Sequence, residues 1–118
     1  MKGNKDDDGK PRHDLLDYDF VTNLAEVLSF GARKYGDHNW RGGIKTSRLF
    51  SALQRHLTAF WGGEDIDKES GLSHLSHAAA NLMMLQATLK DKPSMDDRYG
   101  KKEDNRQSKY FGGLPNCS

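Results

Sequence analysis

The sequence is short of most features that would announce a function. It has 118 residues and one cysteine, Cys117, one residue from the end. A lone thiol closes no internal disulfide and completes no zinc finger, so a reducing compartment, the cytoplasm, is expected. No apolar run approaches the ~20 residues that a helix needs to cross a bilayer. The opening stretch "MKGNKDDDGKPR" lacks the apolar segment of a signal peptide. No β-branched run alternates with polar residues, which argues against a sheet. Lys and Arg number 18 against 17 for Asp and Glu, a net charge of +1. Neither nucleic acid nor a membrane surface is therefore an expected partner. "WRGG" lacks the spacing of a Walker loop, G-x-S-x-G is missing, and Cys117 has no ordered context for a nucleophile. The expected nucleophile is metal-activated water.

What is present is helical and polar. The pattern predicts one all-α domain: an extended arm over 1–16, a helical core over 17–91 and an irregular tail over 92–118. The tail carries a short strand or turn around Tyr110 and Phe111. Phe20, Leu24, Val27, Leu28 and Gly31 recur at helical steps, with Asp17 or Asp19 as a cap and Gly36 as a stop. A second helix runs from about Thr46 or Ser47 to Trp61, with Leu49, Leu53, Leu57 and Phe60 on its buried face. A third starts between Asp67 and Ser73 and runs to about Lys90, with a stripe of Leu75, Ala78, Leu82, Leu85 and Leu89. At 35% hydrophobic and 30% charged, the composition is lean for a lone globule of this size. Three helices enclose a thin core, and the expectation is a bundle completed by a homodimer or a dimer of dimers.

Polar groups stand where that core should be. His56 falls among Leu53, Leu57 and Phe60. His74, His77 and Asn81 fall at i, i+3 and i+7, on one face of the third helix. Buried polar groups need partners, so each histidine could be a satisfied core or interface residue. Just ahead lies the acid cluster Glu64, Asp65, Asp67 and Glu69. Acids also suit a helix N-terminus, and this reading is strongest for Asp65. Gathered carboxylates repel one another, and a divalent cation relieves that repulsion. Glu64, Asp67 and Glu69, with His74 and His77, are the candidate ligands of Mg²⁺ or Mn²⁺; the histidines could shift the choice towards Mn²⁺ or another transition metal, or could bind substrate phosphate instead. Glu64, Asp67, Glu69 and His56 are the candidate catalytic residues. Lys10, Arg12, Lys34 and Arg55 are candidates to hold phosphates. Tyr35 or Trp40 could stack on a base, Asn39 could read a base edge, and Asn81 completes the candidate substrate set.

Three stretches carry a resemblance: "KPRHDLL" at 10–16, "FGARKYGDHNW" at 30–40 and "SRLFSALQRHLTAFWGGEDIDKESGLSHLSHAAANL" at 47–82. Together, in this order, they resemble a phage family of dATP/dGTP diphosphohydrolases. That family looks distantly similar to the MazG-like all-α nucleoside triphosphate pyrophosphohydrolases, which hold Mg²⁺ on helical E-x-x-E and E-x-x-D motifs in a dimeric bundle. Here the matching place on the third helix reads His74-x-x-His77, and the second helix offers Arg55-His56 instead of an acid pair. The ligands of the wider group therefore do not transfer one by one. The resemblance implies cleavage of a deoxypurine triphosphate between its α and β phosphates, in the host cytoplasm if a phage encodes the chain. The alternative is a non-enzymatic helical interaction module whose buried polar seam fixes its register. An HD-type phosphohydrolase, suggested by the histidines, ranks behind both.

Overall fold

The computed structural model describes residues 3–102. Cys117 and the turn expected around Tyr110 and Phe111 lie outside the described residues. The fold is all-α, with α1 over Tyr18–Tyr35, α2 over Thr46–Trp61, α3 over His74–Asp91 and three short 3-10 turns. Among the described residues no strand forms; Ile66 and Ser73 make one isolated antiparallel bridge.

Each helix begins where a side chain takes up free backbone N–H groups. Asp17 accepts from Phe20 N at 2.9 Å and opens α1. Arg33 and Lys34 sit in its last turn, opposite in sign to the dipole end there. Gly36 ends it at φ 95°, a conformation that costs glycine little. Ser73 accepts from Leu75 N at 3.1 Å and opens α3.

α2 is capped differently. Lys45 precedes it and gives no side-chain cap. Asp97 arrives from beyond α3 instead. Its Oδ1 accepts from Ser47 N and from the Thr46 hydroxyl, both at 2.8 Å, and its Oδ2 accepts from Ser47 Oγ at 2.6 Å. These bonds, the Ser47 hydroxyl foremost, then the Ser47 amide and the Thr46 hydroxyl, hold the Asp97 carboxyl down to about 2. Residues just past α3 are thus tied to the start of α2.

α2 and α3 pack as an antiparallel pair, and α1 packs on α3. The core is thin: among the described residues Val27, Leu49, Leu53, Ala78 and Ala80 are the buried apolar ones, and no large side chain is fully buried. The expected leucine stripe of α3 is corrected. Leu75 and Leu82 are 42% and 56% exposed, while His74, Ser76, Ala78, Ala80, Asn81 and Thr88 face inward. α3 is shared by two neighbours, and small residues let both approach it closely. Leu75 and Leu82 are left towards its far side while Leu85 and Leu89 are half-buried, and Leu57 of α2 is exposed as well.

Candidate active site

The 64–73 loop folds back on itself before α3. The Ile66–Ser73 bridge closes it, Asp67 N donates to Leu72 O at 2.8 Å, and His74 N donates to Asp65 O at 2.9 Å. Gly71, at φ 73°, makes the tight return possible. The loop thereby brings Glu64 and Asp67 to the first turn of α3. The antiparallel pairing brings His56 of α2 to the same place.

Six polar side chains interlock there. His56 Nδ1 and His74 Nδ1 are 2.9 Å apart. His74 Nε2 lies 2.8 Å from Glu64 Oε1. A carboxylate only accepts, so Nε2 carries the proton and His74 Nδ1 presents a lone pair towards His56. His77 stacks on His56 with ring centres 4.5 Å apart and planes 7° from parallel. Ser70 Oγ donates to Asp67 Oδ2 at 2.8 Å, and Ser70 N donates to the same oxygen at 2.9 Å. With its one proton spent, Ser70 Oγ accepts from His77 Nε2 at 2.6 Å. His77 Nδ1 is then a lone pair too.

The electrostatics favour neutral imidazoles beside an ionised carboxylate. Burial lowers the His56 pKa, with the His77 and His74 rings adding to it. Burial also lowers that of His77, more than nearby Asp67 raises it. Burial pushes the Asp67 carboxyl up, but the bonds from Ser70 and the neighbouring His77 and His56 outweigh this and hold it below its ordinary value. One ligand atom each from His56, Asp67 and His74 lie within 4.8 Å of one another. Two ligands set at right angles on one ion, at bond lengths of ~2.1 Å, would be ~3 Å apart. The His56–His74 separation fits that. The arrangement is also that of a ligating histidine whose far nitrogen is held by a carboxylate.

This cluster opens on a cleft of about 1280 Å³ bounded by α1, α2, α3 and the 36–45 connector. His56, Asp67, Glu69, His77 and Asn81 line it at the cluster end, with Lys34, Tyr35, Asn39, Trp40 and Arg55 on its walls. Ten of the residues singled out from the sequence therefore meet in one cavity. Glu64 and His74 sit behind it, His74 only 4% exposed. Glu69 turns from the cluster and pairs with Lys34 of α1. Lys10 and Arg12 lie in a separate shallow depression of the arm, and Arg12 pairs with Asp14 at 2.6 Å. Their expected place in the same site is not the one seen: the arginine is satisfied two residues away. Two contributors stand outside the candidate set. Ser70 is one, legible only as the fourth residue of an Asp-x-x-Ser turn. Arg48 is the other: visible in the sequence as a basic group of the second helix, it stands seven residues before Arg55, on the same face of α2, and lines the cleft. Asp97, which caps α2 away from the cleft, is too far along the chain for local pattern to connect it with that helix.

The fold and site define a class: an all-α protein with a histidine–carboxylate centre suited to a divalent cation, beside a cleft of ligand size. The chain belongs to the dATP/dGTP diphosphohydrolase, N-terminal, family, whose model matches residues 1–98. A curated relative, the dATP/dGTP diphosphohydrolase of Salmonella phage PMBT28, is 42% identical over 98 residues, 83% of this chain and 33% of that protein. The chain thus spans about a third of the length of the relative it matches. No solved structure matches it. No described helix is long and apolar enough to cross a membrane.

Proposed function

We propose that this chain hydrolyses a deoxypurine triphosphate, dATP or dGTP, to the monophosphate and pyrophosphate, with a divalent cation held by His56, His74 and Asp67. The observation that carries the reading is the His56–His74 contact at 2.9 Å, with Glu64 behind it and Asp67 beside it. Two imidazole nitrogens to one carboxylate favour Mn²⁺ over Mg²⁺, which prefers oxygen ligands and its own waters. Such a cation, when bound, neutralises phosphate charge and acidifies water.

The rest falls to the chain's own groups. Glu64 holds His74 in the ligating tautomer. Ser70 does the same for His77, whose Nδ1 lone pair, on the cleft wall, is suited to take a proton from water. Arg48 and Arg55 line the cleft and are paired with no carboxylate among the described residues, so their guanidinium groups are free for phosphate oxygens. Lys34 can exchange Glu69 for a phosphate. A purely structural seam would be expected to satisfy its cations internally, and these two arginines favour the enzyme reading over it. The printed name of the phage relative supports the substrate class.

The test is product identity. Purified chain given dATP or dGTP with Mn²⁺ should yield monophosphate and pyrophosphate, followed by phosphorus NMR. Nucleoside diphosphate plus orthophosphate, or no turnover, would count against the proposal.

A further inference from the structure

Asn81 is the one buried polar side chain among the described residues that line the cleft, at 7% exposure. Its Nδ2 donates to His77 O, one turn back, at 3.0 Å. Only an N–H can face a carbonyl oxygen, so the amide is fixed in one orientation. Its Oδ1 accepts no hydrogen bond among the described residues. A group that can only accept, held rigid in a cavity wall, selects a ligand bearing N–H or O–H.

The same cleft is walled in part by residues with little or no side chain. Gly31 of α1, Ala52 of α2 and Ala80 of α3 line the same cleft. A Cβ built on Gly31 would meet nothing within 4 Å, so the room there belongs to the cleft and not to a packed neighbour. Met83 and Met84 add polarizable apolar surface, which suits an aromatic ring. Along α3, Asn81 stands four residues past His77 and seven past His74, roughly 6 and 10 Å at 1.5 Å per residue. A nucleotide reacting at its α phosphate carries its base at about that remove, beyond the sugar.

Resting on the proposed nucleotide substrate, we infer that this slot seats the nucleobase, with Gly31 leaving room for its ring and Asn81 Oδ1 accepting an N–H from its edge. Adenine offers its exocyclic amine and guanine its ring N–H and amine. The contact assigns specificity to Asn81 and shape selection to Gly31, apart from the groups that hold the cation.

The experiment measures binding calorimetrically, with Mn²⁺ present, for the wild type, Gly31→Leu and Asn81→Ala. Three probes are used: a methylene-bridged, uncleavable dATP; the same analogue with unsubstituted purine, which has no N–H; and inorganic tripolyphosphate. Gly31→Leu should weaken the dATP analogue at least tenfold and leave tripolyphosphate unchanged. Its melting temperature should not fall, since leucine is a better helix former than glycine. Asn81→Ala should weaken the dATP analogue on the order of tenfold and the unsubstituted purine hardly at all. If Gly31→Leu binds the dATP analogue as the wild type does, the slot is elsewhere. If Asn81→Ala penalises both nucleotides equally, the contact is to the sugar, and the base reading is overturned. A wild type that binds tripolyphosphate but no nucleotide overturns the slot alone; one that binds neither overturns the proposed function with it.

Discussion

His56 of α2 and His74 of α3 face each other through their Nδ1 atoms, 2.9 Å apart. Two nitrogens this close must share a proton or a cation. Glu64 decides which proton is available: by taking Nε2–H of His74 it leaves that ring's Nδ1 bare, and His56 donates to it at 2.9 Å.

In the proposed site Glu64 would therefore act on the cation through His74 rather than by touching it. Glu64→Gln should weaken Mn²⁺ binding roughly 10- to 100-fold, the usual cost of losing such an outer partner. Asp65→Asn should change little, because Asp65 contributes its backbone oxygen to His74 N. Glu69→Gln should also leave Mn²⁺ affinity unchanged. It breaks an exposed pair with Lys34, which solvent screens, so stability should change little. Calorimetric titration of the three variants ranks them directly.

Asp97 should give the fold an acid limb. Its carboxyl titrates at about 2 in the folded chain against 3.8 ordinarily. A depressed folded value means the unfolded chain binds the proton first. Its contribution is thus fully present above pH 3.8 and is lost as the pH falls towards 2. Asp97→Asn should lower the melting temperature at pH 7 and flatten its pH dependence between pH 4 and 2. An unchanged melting curve at both ends of that range would show that the α2 cap is not in force.

Self-association is the third expectation. Trp61 is 88% exposed, Leu82 56%, Phe50 51% and Leu75 42%, and among the described residues no large side chain is fully buried. A second copy of the chain is the occupant we expect on these faces. Light scattering at micromolar concentration should return a dimer or tetramer mass, and a stable monomer mass would contradict it.

The helices were legible because their signals are local. Asp17, Ser73 and Gly36 stand where caps and stops belong, and the apolar steps of α1 and α2 point to Val27, Leu49 and Leu53. What failed to show was set by distance or by competition. Asp97 caps Thr46 and Ser47 from 51 and 50 residues away. Arg12 looks free in the sequence but is taken by Asp14. Leu75 and Leu82 look like core, yet the inward face of α3 went to small and polar residues because two helices share it. The candidate site was legible as a set, since His56, Asp67, His74 and His77 do converge. The division of labour among its acids was not: Glu64 stands behind a histidine, and Glu69 faces Lys34. Spacing alone does not distinguish a ligand from the group that orients it.

The central claim is that His56, His74 and Asp67 together hold a divalent cation, and Mn²⁺ uptake followed by electron paramagnetic resonance tests it most directly. Free Mn²⁺ should disappear on titration with the wild-type chain. Asp67→Asn and His74→Ala should each reduce the affinity at least tenfold. For Asp67→Asn, a near-isosteric change, the metal-free melting temperature should stay close to that of the wild type. Equal uptake by all three proteins would place the cation elsewhere and contradict the account.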